Sequence, residues 1–159
     1  HGGRIIEIAC IEMIDGVLTG RQLHHILNPE HPIPELVSEI TGFYDAMVFD
    51  EPRFSDIAPQ IVDFVGGDRL VIHNAAFDME FLCEEWLLVD VAWPHLSDPN
   101  LVIDTLPYFK MRHPGERRNL DALCARYGVD PADREEPNDC LAAAKQLARL
   151  WQVAIQTAS

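Results

Sequence analysis

The spacing of apolar positions changes several times along the chain, and each change marks an expected element. RIIEIACIEMI (4–14) is β-branched, apolar and partly alternating, the pattern of a strand, and it ends in the turn pair Asp15-Gly16. QLHHILNPE (22–30) then reads as the returning arm of a hairpin, stopped by Asn28-Pro29. IPELVSEITGF (33–43) suits a short helix ending near Gly42. After Pro52, residues Phe54, Ile57, Ile61, Phe64 and Val65 recur at helical spacing, with Ser55 as the expected cap and Gly66-Gly67 as the stop.

The second half alternates strand and helix. RLVIHN (69–74) and LVIDT (101–105) are short continuous apolar runs, expected as strands buried on both faces. FDMEFLCEEWLL (77–88) is expected to be helical. NLDALCARYG (119–128) is expected to be a helix with Asn119 as N-cap and Gly128 as its stop, and NDCLAAAKQLARLWQVAIQ (138–156) a long terminal helix. The order β-β-α-α-β-α-β-α-α predicts an α/β fold, a mixed β-sheet flanked by helices. With no repeat, linker or low-complexity stretch, residues 1–159 read as a single domain.

Composition adds limits. About half the residues (48%) are apolar, enough for a core, and no apolar stretch approaches the ~20 residues of a membrane span. Four dispersed cysteines, Cys10, Cys83, Cys124 and Cys140, form no C-x-x-C pair. They argue against a zinc knuckle or a disulfide framework and favour a reducing cytoplasm. The start HGGRIIEI has neither the basic segment nor the cleavage site of a secretory signal, and no initiator Met, so a processed form or a fragment is expected. The net charge of −14 should repel nucleic acid unless metal ions or a local basic patch intervene. One such patch exists, KMRHPGERR, with Lys110, Arg112, Arg117 and Arg118. A solvated loop and a binding patch remain equally open readings of it.

The chemistry-bearing stretch is VIHNAAFDMEFL (71–82), where His73, Asn74 and Asp78 fall at the handover from strand to helix. Read from residues alone, Asp78 is a first-turn acid complementing a helix dipole, and His73 and Asn74 are turn-forming polar residues. Together with RIIEIACIEM, LTGRQLHHILNPEHPI, VIDT and HPGERRNLDALCARYGVD, however, this stretch resembles the DNA polymerase III epsilon-type 3′–5′ exonucleases. These are DnaQ-like (DEDDh) nucleases of RNase H-like fold, and the likeness runs from about residue 2 to about residue 150.

The resemblance implies proofreading of DNA by two-metal phosphodiester hydrolysis, with two Mg²⁺ or Mn²⁺ ions about 4 Å apart held by Asp and Glu, and a His as general base. It implies Asp78 as a catalytic metal ligand, and His73, Asn74 and Phe77 as substrate-binding residues approaching the terminal nucleotide. Its expected partners are a single-stranded or frayed DNA 3′ end and the polymerase III catalytic subunit. Two of the family's motifs are not matched. The central first strand, ending in Asp-x-Glu-x-Thr-Gly, precedes the R-I-I-E-I segment in the family, so this chain is expected to be N-terminally incomplete, with either a strand-wide gap between 4–14 and 69–74 filled by another chain or by further residues, or the two strands closed together into a different sheet order. On the last helix, Asn138 stands at the family's His position and Ala143 at its Asp position. Asn takes no proton from water at neutral pH, and Ala offers no oxygen. Asp139, one residue from the expected base, is turned away by about 100° on a helix. Two functions follow as alternatives: an epsilon-type exonuclease, catalytically impaired as it stands and binding metal weakly, or a non-catalytic exonuclease-like module that binds a polymerase subunit or a DNA end.

Overall fold

The computed structural model describes residues 4–130 and 139–157. The chain begins with a hairpin, β1 (Glu7–Ile14) against β2 (Val17–Ile26). The pair is antiparallel, with Ile14 opposite Val17, and a bulge lies between Ile11 and Met13. Asp15 and Gly16 both take positive φ (52° and 77°), the backbone a two-residue turn needs to match the twist of its strands. Helices α1 (Glu35–Thr41), α2 (Asp45–Val48) and α3 (Phe54–Val65) follow, and Gly42 closes α1 in the left-handed region at φ 79°.

The second sheet is β3 (Leu70–Ile72) with β4 (Val102–Asp104), in parallel and in register: Leu70 beside Val102, Val71 beside Ile103, Ile72 beside Asp104. Between them lie α4 (Ala75–Trp86) and two 3₁₀ turns. After β4 come α5 (Thr105–Arg112), α6 (Leu120–Tyr127) and α7 (Cys140–Thr157).

Several expectations are corrected. The cap of α3 is Arg53, not Ser55: the Asp56 carboxylate reaches back to accept from the Arg53 N–H at 3.0 Å, and the helix starts two residues earlier than expected. The strands at 69–74 and 101–105 shrink to three residues each and are half-buried rather than buried on both faces. Their polar ends, His73-Asn74 and Thr105, belong to the turn and helix that follow. Helices α2 and α5 were not expected. Helix α5 contains Pro107 and has no clear apolar stripe, and its N-cap, Asp104, is also the last residue of a strand. The caps of α6 are as expected: Asn119 Oδ1 accepts from the Ala122 N–H at 2.8 Å, and Gly128 terminates the helix at φ 71°.

The core has two centres. One lies under the hairpin, where Leu27, Phe54, Ile57 and Ile61 pack with Trp86, whose ring meets Phe54 edge-on at 5.3 Å and stacks on Trp93 at 4.6 Å. The other gathers Phe109, Leu123 and Leu150 around the start of α5. Of most consequence for function, the two sheets are separate: among the described residues β1 pairs only with β2, and β3 only with β4. Residues of both β1 and β3 line a cleft of about 810 Å³, closed on a further side by Ala143, Ala144 and Leu147 of α7. The strands 4–14 and 69–74 have not closed together, and facing the cleft leaves β1 and β3 only half-buried. No helix among the described residues is long and apolar enough to cross a membrane.

Candidate active site

The parallel register of β3 and β4 sets the geometry of the site. With Ile72 beside Asp104, the residues leaving both strands emerge at one edge. There Asp104 Oδ1 accepts two backbone N–H bonds, from Leu106 at 3.0 Å, which caps α5, and from Asn74 at 3.0 Å. The second bond holds Asn74 in the left-handed region (φ 65°, ψ 59°), a conformation Asn tolerates better than most residues. The chain thereby turns sharply from β3 into α4, and Asp78 falls in the first turn of that helix.

His73 is fixed at both ring nitrogens. Nε2 lies 2.6 Å from the Arg118 carbonyl, which can only accept, so Nε2 carries the proton and donates. Nδ1, 2.8 Å from Thr105 Oγ, then accepts from that fully buried hydroxyl. Both nitrogens are therefore spent on holding the strand end to α5 and to the loop before α6. Asn74 and Phe77 are exposed; the Phe77 ring is 57% exposed and rests edge-on against Phe81 at 5.1 Å.

Asp78 lines the cleft with Glu7, Cys10, Cys140 and Ala143. The Asp78 side chain is itself exposed at the rim of the cleft, and partial desolvation by the cleft wall first, and the nearby Asp104 second, push its carboxyl up to about 6. Burial likewise pushes the Cys140 thiol up to about 12, reinforced by Glu7, Cys10, Asp78 and Asp139, so the starts of α7, α4 and β1 converge here. The acids of β1 are already engaged. Glu7 meets His24 at 2.7 Å, and Glu12 meets Arg21 at 2.6 Å. Asp139 Oδ1 accepts from the Ala142 N–H at 3.0 Å and so caps α7, the physical reason it does not stand in for a base. Asn138 lies outside the described residues. Asp104 was missed in the sequence, although an acid closing a second buried strand in VIDT was a readable signal.

The raised carboxyl has a consequence for stability. Asp78 keeps its proton more tightly folded than unfolded, so its contribution favours folding at pH below 3.8 and is lost as pH rises through about 6. Asp78→Asn carries no such charge. Relative to the unsubstituted chain, its melting temperature should therefore rise progressively between those values and stay constant above them. A difference independent of pH, or one of opposite sign, would show that Asp78 is not desolvated.

Residues 1–145 match the sequence pattern of the RNase T-type family, described as exonuclease. The chain belongs to this exonuclease family. It is 41% identical over 135 residues to the DNA polymerase III subunit epsilon of Rickettsia felis, spanning 85% of this chain and 59% of that protein. It is 37% identical over 134 residues to the subunit of the same name from Escherichia coli K12, spanning 84% of this chain and 55% of that one. The exonuclease-family chain thus spans little more than half the length of these curated relatives. Among solved structures it resembles exonuclease X in complex with 5′ overhanging duplex DNA (TM-score 0.70, 24% identity, 99% of this chain and 86% of that one). It also resembles the nuclease domain of 3′hExo, a DEDDh family member, bound to rAMP (TM-score 0.74, 15% identity, 97% and 82%). At those identities the shared feature is the fold. The RNase H-like expectation and the epsilon-type resemblance are both borne out.

Exonucleases of the DEDDh type generally use two divalent metal ions. Among the described residues, no three His, Cys, Asp or Glu side chains come together in a way that could hold one. Asp78 supplies a carboxylate, Asp104 has Oδ1 engaged by two N–H donors, and Ala143 supplies nothing. The donor set of the described residues therefore does not fit a two-ion centre.

Proposed function

We propose that this chain is the nuclease domain of an epsilon-type 3′–5′ exonuclease, built to take a single-stranded or frayed DNA 3′ end during proofreading, and catalytically impaired as it stands. The observation that carries the reading is the position of Asp78: in the first turn of α4, on the cleft, at the shared edge of two parallel strands. In this reading Asp78 is the catalytic acid and the one retained metal ligand for Mg²⁺ or Mn²⁺. Asn74 and Phe77, both exposed beside it, meet the terminal nucleotide, Phe77 by stacking on a base. His73 serves substrate binding indirectly, by fixing the turn on which Asn74 sits. The relatives' name supports DNA polymerase III as the larger assembly, with its catalytic subunit as partner. Four free cysteines suit a reducing cytoplasm as the place of work, and residues 1–159 act as one exonuclease-like domain.

A second reading is favoured by one specific observation. Ala143 of α7 faces the same cleft as Asp78, so the side chain nearest to completing the acid set offers no ligand. The chain then serves as a non-catalytic exonuclease-like module binding a DNA end or a polymerase subunit. Incubation with a 5′-labelled single-stranded oligonucleotide and Mg²⁺ separates the possibilities. Little or no shortening is expected. A metal-dependent ladder growing from the 3′ end would overturn the impairment, and release of the 5′ label as a mononucleotide without a ladder would overturn the assigned polarity.

A further inference from the structure

We infer that the segment from the end of α5 to the start of α6 is a phosphate-binding strip that seats the backbone of the nucleic acid strand entering the Asp78 cleft. The inference rests on the nucleic-acid reading above and assigns the residues that make it electrostatically feasible.

The difficulty is charge. A chain with 26 acidic residues against 12 Lys and Arg repels a polyanion, so attraction must come from cations concentrated in one place and not neutralised there. Several cations elsewhere are committed to carboxylates. Arg4 is held by Glu85 and Glu30, Arg21 by Glu12, and Arg53 faces Glu30. The strip is different. Lys110, Arg112 and Arg117 are exposed, Arg118 is half-buried, and among the described residues none of the four is in an ion pair. The single acid within the strip, Glu116, is paired with Arg126 at 3.0 Å, which leaves Arg117 and Arg118 uncompensated. The Arg112 guanidinium lies over the Tyr108 ring, 4.4 Å from its centre, and is held in place by that contact.

The strip is also fixed to the site. The Arg118 carbonyl receives the 2.6 Å hydrogen bond from His73, whose neighbour Asn74 opens the helix carrying Asp78. His73, Asp78 and Leu120 all border the one cleft. His73 thus ties the cationic loop to the acid-bearing helix across 45 residues of sequence. Basic side chains at this spacing give sequence-independent attraction to phosphates, while the exposed Phe77 ring offers a surface for a base.

The test is the salt dependence of binding to a fluorescein-labelled single-stranded oligothymidylate, followed by anisotropy in EDTA so that no cleavage occurs. For single strands each neutralised phosphate contributes about 0.7 to the slope of log affinity against log salt. Arg117→Gln with Arg118→Gln should weaken binding on the order of tenfold at low salt and flatten the slope by about 1.4. Lys110→Gln with Arg112→Gln should act in the same direction. Arg117→Lys with Arg118→Lys, which keeps the charge, should retain the slope. Arg21→Gln with Arg53→Gln, which removes cations already paired elsewhere, should change neither quantity. An oligonucleotide bound by the unsubstituted chain and bound equally, with equal slope, by both glutamine pairs would overturn the strip while leaving the nucleic-acid reading intact. No binding by the unsubstituted chain at low salt would overturn that reading itself.

Discussion

Arg4→Ala is expected to be strongly destabilising, costing about 3–5 kcal/mol of the roughly 5–15 kcal/mol that holds a domain of this kind together. Glu85, on α4, is 1% exposed, and its carboxylate is met by Arg4 Nε at 2.6 Å, Arg4 Nη2 at 3.1 Å and the Ile5 N–H at 3.1 Å. The bond to Glu85 in turn raises the Arg4 guanidinium further above its ordinary value. Removing Arg4 leaves a buried carboxylate with one backbone donor, and the desolvation of that charge is no longer offset. The pair also joins the chain just before β1 to the far end of the helix bearing Asp78, so two walls of the cleft are fastened by it. Urea unfolding should show a lower midpoint at an unchanged slope. Arg4→Met combined with Glu85→Leu should recover much of the loss, because the buried charge goes with its partner. A loss under about 1 kcal/mol for Arg4→Ala would place the pair with ordinary surface ion pairs.

What could be read beforehand follows the range of the interaction. The hairpin turn was legible because Asp15-Gly16 states a local backbone requirement. Gly42 and Gly128 were legible as stops, and Asn119 as a cap, for the same reason. Asp78 stood out through the motif around it. What escaped was built by contacts between distant residues. Arg4 and Glu85 are 81 positions apart, His73 and Arg118 are 45 apart, and Asn74 and Asp104 are 30 apart. His73 read as a substrate contact because its sequence position shows nothing of the carbonyl and hydroxyl that occupy its nitrogens. Asp104 read as the end of a strand, although it organises the turn that presents Asp78.

The second large effect concerns rescue. Asn138→His with Ala143→Asp would supply a general base and one carboxylate at the family's positions. Ala143 does border the cleft beside Asp78, so the new acid would be suitably placed. That gives two carboxylates where the family's chemistry draws on more, and the acids of β1 that could help are engaged with His24 and Arg21. The double variant should therefore remain without metal-dependent degradation of a 3′ single-stranded end. Degradation above that of the unsubstituted chain would show that the remaining groups suffice.

On the proposed reading, the described residues of this exonuclease-family chain present too few oxygen ligands to hold the two ions that DEDDh exonucleases generally use. Mg²⁺ and Mn²⁺ sites need several fixed oxygens, and the cleft offers the Asp78 carboxylate, with Asp104 Oδ1 engaged by two N–H donors. Calorimetric titration of the unsubstituted chain with Mn²⁺ tests this most directly. The expected result is no binding tighter than about millimolar, unchanged by Asp78→Asn. A micromolar isotherm with two sites, abolished by Asp78→Asn, would contradict it.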